Sequence, residues 1–128
     1  MLSRRRSERG QDLVEYALVL PILLLLIFGI LEFALIIFSY NTISDAARQG
    51  ARYGVIGERA FNDTAGIRNA AYEVTDAANL NRAKLTVTPT KRGDTIEVKV
   101  TYNMDLIALI SGLPITLTAV STKQIELE

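Results

Sequence analysis

From Ala17 to Leu31 the chain runs fifteen residues without a charge, and after Glu32 the apolar character resumes from Phe33 to Phe38. Counted through Glu32, the stretch is 22 residues long, and a helix needs about 20 to cross the hydrocarbon core of a bilayer. Arg4, Arg5, Arg6 and Arg9 against Glu8 put a charge of +3 into the first ten residues. Such a cationic flank stays in the cytosol, so everything past the run is exported. A secretory signal peptide, cleaved beyond its core, is the rival reading. The run is long for that, and Glu32 to Tyr40 offers no persuasive small-x-small cleavage site.

The remaining composition narrows the chemistry. The 128 residues amount to one domain, and roughly 85 of them follow the apolar third. A core that small draws stability from packing against the long helix or against neighbouring subunits. The formal charge is zero, from 14 basic and 14 acidic residues, but without the first ten it is 10 against 13. No basic face is left for nucleic acid. Cysteine and histidine are both absent, which removes Cys/His metal sites, disulfides and the commonest general base. No constellation suggests an enzyme, and no catalytic, cofactor or metal residue is assigned.

Past Phe38 the pattern becomes an amphipathic helix. Ile43, Ala46, Ala47, Gly50, Ala51 and Gly54 fall on one narrow face of small residues, with Asp45, Arg48 and Arg52 opposite. No stop signal divides this segment from the apolar run, so one helix is expected from about Gln11 to Gly54, with Gly57 ending the pattern. Asp63 or Thr64 can cap a second helix, about Ala65 to Asn79, with a stripe of Ile67, Ala70, Ala71, Val74, Ala77 and Ala78. Leu85 and Val87 alternate with threonines until Pro89, and Lys91 to Asp94 reads as a turn. Ile96, Val98, Val100 and Tyr102 alternate with Glu97, Lys99 and Thr101 as a half-buried strand. Leu106 to Ile110 reads as an apolar loop or a turn of helix, and a last strand begins after Pro114.

Gly10 is followed by Gln11, Asp12, Leu13, Val14, Glu15 and Tyr16, and then by the apolar run. A basic leader, a glycine and a glutamate five residues on resemble the processing site of type IV prepilins, and the adjacent tyrosine resembles the Flp/Tad branch. A carboxylate at the edge of a membrane helix is costly unless paired. Cleavage after Gly10 would create an α-amino group on Gln11 that can pair with Glu15 of a neighbouring subunit. The resemblance continues through Leu31-Glu32-Phe33 and Asp45-Ala46-Ala47-Arg48-Gln49-Gly50-Ala51-Arg52-Tyr53-Gly54, which look like the N-terminal region of TadE-like pseudopilins. It is looser from about 60 to 94, then returns in the strand ending at Tyr102 and in Ile115 to Ala119. Ala34 and Leu35 stand where the family often has glycine and arginine, so no role passes to those two positions.

Several positions keep two readings. Glu32 is either a second intramembrane carboxylate pairing across subunits or a charge at the outer interface. Pro21 either kinks the helix or is tolerated within it. Ala47, Gly50, Ala51 and Gly54 permit close helix approach between subunits, or pack beneath this chain's own strands. Arg92-Gly93-Asp94 is better read as a hairpin turn than as an adhesion tripeptide. Asn62-Asp63-Thr64 is better read as a helix cap than as a glycosylation sequon.

The expected fold is α+β, a long N-terminal helix whose first half is transmembrane, packed against a small antiparallel sheet with one short helix. Residues 1–10 form a leader, 11–40 the transmembrane helix, and 41–128 an exported domain that includes the helix's second half. The resemblance implies a minor pilin or pseudopilin, processed between Gly10 and Gln11 by a prepilin peptidase, with Glu15 and Tyr16 serving assembly and register. It also implies the bacterial inner membrane, crossed once with the N-terminus cytoplasmic, or a place in an extracellular pilus. The partners it implies are other pilins or pseudopilins, Tad assembly-platform proteins and membrane lipid, in a homo- or hetero-oligomer. Two alternatives stand beside this: the principal subunit of a filament, which purified pili would reveal by abundance, and an unprocessed membrane-anchored binding module, which would keep its first residues.

Overall fold

The computed structural model describes residues 2–106 and 112–125, with side chains from Gly10 onward. The fold is α+β. A first helix, α1 (Leu2–Gly54), is followed by α2 (Glu58–Asn62), α3 (Thr64–Ala77) and a short 3-10 turn at Arg82–Lys84. Three strands complete the chain: β1 (Leu85–Arg92), β2 (Thr95–Leu106) and β3 (Leu113–Gln124). They form one antiparallel sheet in the order β1-β2-β3.

At 53 residues, α1 is about 80 Å long. It starts at Leu2 and not near Gln11, because nothing around Gly10 stops a helix. One glycine costs about 1 kcal/mol relative to alanine, and its neighbours Arg9 and Gln11 are good helix formers. The helix also continues without a break through Pro21. It ends at Gly54, where Val55 and Ile56 donate three-residue bonds to the carbonyls of Arg52 and Tyr53.

Beyond it, α2 is an element the sequence did not suggest, with its first-turn Glu58 suiting a helix N-terminus. Asp63 caps α3, its Oδ1 accepting from the Gly66 amide at 2.9 Å. Tyr53 Oη donates to the other oxygen of Asp63 at 3.1 Å, which ties the start of α3 to the end of α1. The buried stripe of α3 is Ile67, Ala71 and Thr75, and Ala77 is exposed. A threonine can sit in this core because its hydroxyl donates back to the Tyr72 carbonyl at 3.0 Å.

The strands run longer than expected. β1 passes through Pro89 to Arg92, which an edge strand permits because a missing N–H on its open side costs no ladder bond. The turn tightens to Gly93-Asp94 between Arg92 and Thr95, with Gly93 at φ +57. A two-residue hairpin turn requires such a positive φ. Leu106 ends β2 in register with Leu113, so it belongs to a strand; the rest of the apolar segment expected there, 107–110, lies outside the described residues.

The core sits between α1, α3 and the inner face of the sheet. Ile43, Ala46, Ala47, Ala51, Ile67, Ala71, Ile96, Val98 and Val100 are fully buried. The alternation of β2 decides this, with Ile96, Val98 and Val100 inward and Lys99 out to solvent. Small side chains on α1 bring the sheet close. A Cβ on Gly50 would lie 3.2 Å from both Val98 Cγ1 and the Ile67 carbonyl oxygen, and one on Gly54 would lie 2.7 Å from Ile96 Cδ1. Gly50→Leu should therefore overpack the core and cost about 1–3 kcal/mol. Chemical denaturation of the detergent-solubilised protein checks this, and an unchanged midpoint would refute the packing account.

Candidate functional site

The positions singled out in the sequence divide into three groups along α1. The lowest comprises Gly10, Gln11, Glu15 and Tyr16. All four are exposed, Tyr16 at 74 %, and a Cβ on Gly10 would meet nothing within 4 Å. Helical spacing sets Glu15 one turn above Gln11 on the same side of the helix. Their surroundings are open, so any contact beyond local helix neighbours must come from outside the chain.

Above them lies the apolar barrel of the helix. Leu18, Ile22, Leu25, Ile30 and Phe33 point outward with more than half of their surface uncovered. Water would not tolerate such a surface, and lipid or a neighbouring helix would. The most apolar window of Gly10–Gly54 has a mean hydropathy of 2.8 with 6 % of it buried, so this helix is long and apolar enough to cross a membrane.

Glu32 begins the third group, and its environment is different. It is 7 % exposed, and Ser39 and Thr42 above it are also buried. These three face the same side as Ile43 and Gly50, towards the sheet. Thr42 satisfies its hydroxyl by donating to the Phe38 carbonyl at 2.9 Å. Glu32 lines a groove with Phe28, Leu31 and Leu35 of α1 and Met104 and Leu106 of β2. With 7 % of its surface exposed, Glu32 is enclosed by the chain itself. On the groove's rim Lys84 donates to Asp105 at 2.7 Å. That bond, and the carboxylate's charge, hold the Lys84 ammonium above its ordinary range.

Ala47, Gly50, Ala51 and Gly54 are all buried, against β2 and α3 of the same chain. The small-residue face thus supports the domain itself. Sequence reasoning missed the link between Tyr53 and Asp63, which holds α3 on this face, and the pairing of Lys84 with Asp105, 21 residues apart. Neither pair has a local spacing that could have revealed it.

Comparison with known proteins bears on the helix. Residues 10–52 match the family model described as TadE-like protein. The match takes in Gly10, Glu15, Tyr16, Glu32 and the small-residue face up to Ala51, and it stops short of α2, α3 and the sheet. No curated protein and no solved structure matches the chain.

The exposure of the lowest group has a direct consequence for stability. Glu15→Ala should leave the unfolding midpoint of the detergent-solubilised protein within about 0.5 kcal/mol of the parent, as substitutions outside any packed contact do. A larger loss, read by thermal melting, would show that Glu15 serves the monomer's fold.

Proposed function

We propose that this chain, TadE-like across residues 10–52, is a minor pilin or pseudopilin of a Tad-type pilus or related secretion filament. The observation that carries the reading is the coincidence of that match with a helix whose lower part is exposed and apolar and whose upper part is buried under a domain. The four arginines ahead of the apolar run orient it with the N-terminus in the cytosol and the sheet outside. A prepilin peptidase removes the first ten residues by cleaving between Gly10 and Gln11. Glycine suits that step because a protease must fit the backbone closely in extended form.

The work is mechanical. Helices of neighbouring subunits bundle through their apolar surfaces in the inner membrane, with the Tad assembly platform as the further partner. The new α-amino group of Gln11 on one subunit pairs with Glu15 of another, which fixes the axial register. In hydrocarbon a lone carboxylate is costly, so pairing is strongly favoured where a partner is in reach. Tyr16, amphipathic and beside it, anchors the helix at the cytoplasmic interface.

Intact-mass measurement on the native protein tests processing, with a mature chain beginning at Gln11 as the expected result. Gly10→Phe should accumulate as a membrane-retained precursor longer by ten residues. A native protein that keeps its first ten residues would overturn the reading. Glu15→Ala should insert and be cleaved, since one charge at a helix edge changes insertion by no more than about 3 kcal/mol. It should then enter assembly complexes poorly, and its normal incorporation would sink the pairing. A reporter fused after Glu128 should be active only outside the cytoplasm.

A further inference from the structure

Ile125 donates its N–H to the Asp94 carbonyl at 2.8 Å, one step beyond the Thr95–Gln124 pair. In an antiparallel ladder, bonded and unbonded pairs alternate. The register of β2 with β3 is continuous, so Lys123, Ser121, Ala119 and Leu117 direct their N–H and C=O groups at β2. Thr122, Val120, Thr118 and Thr116 direct theirs the opposite way, out of the sheet's edge. On the far side of the sheet the same alternation turns Pro89, paired with Val98, outwards, where its missing N–H costs no ladder bond. The outward residues of β3 are exposed, Val120 at 53 %. Among the described residues no backbone group bonds to their outward N–H and C=O groups.

Edges of this kind attract strands, and proteins commonly block them with proline or charge. The outer edge of β1 carries both, in Pro89 and Lys91. β3 carries neither from Ile115 to Thr122. Its outward groups recur at every second residue, about 6.6 Å apart. An extended backbone presents complementary groups at that repeat, here over about 20 Å. The side chains along the edge, Thr116, Thr118, Val120 and Thr122, are uncharged and β-branched. They suit a neighbouring strand of the same character and offer a charged one no counter-charge.

A second copy of the chain is a poor occupant. Ile96 faces Gly54 and Val98 faces Gly50, so β2 runs down α1 and β3 runs up it. Copies that share one orientation in a membrane have their β3 strands running the same way and could meet only in the weaker parallel ladder. The other edge that a copy could offer is β1, which Pro89 interrupts. We propose that the β3 edge from Thr116 to Thr122 binds an extended, uncharged segment of a different exported protein, which adds a strand to the sheet. The choice of a different protein rests on α1 spanning the membrane with the sheet outside; the open edge itself does not.

Amide hydrogen exchange tests this in the full chain, held at one copy to a lipid nanodisc. The probe is a peptide copying Ile115 to Thr122, blocked at both ends, which is free to take the antiparallel direction. Saturating peptide should slow exchange at Thr116, Thr118, Val120 and Thr122 at least tenfold. Leu117 and Ala119, already bonded to β2, should be unchanged. The same peptide N-methylated throughout should slow none of them. Thr118→Pro removes only an outward N–H, as Pro89 does on β1, and should abolish the effect while Val98 and Val100 keep their protection. The N-methylated peptide needs no variant, so it decides the matter even where Thr118→Pro fails to fold. No slowing at the outward amides would overturn the proposal. Equal slowing by the N-methylated peptide would do the same, since side-chain contact alone would then explain it. Outward amides that are slow without peptide would mean that the chain covers its own edge, which also overturns it. Slowing that arises on placing two copies in one nanodisc would make a second copy the occupant and overturn the choice of a different protein. None of these readouts involves processing or pilus assembly, so their failure would leave the pilin reading standing.

Discussion

Ala46, Ala47, Gly50, Ala51 and Gly54 leave one side of α1 almost without side chains, and every other part of the domain is placed by what lies against that side. β2 can bring Ile96 and Val98 to the helix backbone only because no larger group intervenes. α3 enters the same space through Ile67 and Ala71, and Asp63 fastens it there by capping its first turn while accepting from Tyr53. Aliphatic burial is worth about 25 cal/mol per Å2 of apolar surface, so a core this small depends on close fit more than on size. The glycines supply that fit at the cost of some helix propensity, and the long flanking apolar stretch makes the helix secure enough to bear it.

This also explains why sequence reasoning reached some parts of the molecule and missed others. The long helix, its exposed apolar part, the half-buried strand at Ile96 to Tyr102 and the cap at Asp63 are written in local periodicity or local chemistry, and the structure has them. Where α1 begins could not be read, because Gly10 alone does not stop a helix. The extent of β1 was underestimated because Pro89 looks like a terminator until its place on the sheet edge is known. The composition of the α3 stripe was misjudged at Thr75, whose hydroxyl is satisfied by its own helix and so need not face water.

The candidate site shows the same division. Gly10, Glu15 and Tyr16 are singled out by their order along the chain alone, since the structure gives them no packed contact, and the TadE-like match begins at that glycine. Glu32 was legible as an anomaly but not in its setting. The groove it lines is completed by residues far along the chain, from Ala78 to Leu106, and no local pattern announces that they will come to it.

The absence of any break in α1 between its exposed and its covered part has a mechanical meaning. Flexible linkers between an anchor and a head let the two reorient separately; a single helix gives no such freedom. Displacement or rotation of the helix above Pro21 is therefore passed directly to the domain. Because β2 and β3 lie lengthwise on that helix, an axial pull loads their packing in shear along its whole length at once, so no single row of side chains has to yield first. Helix and domain are thus continuous, with no linker at which one could turn independently of the other.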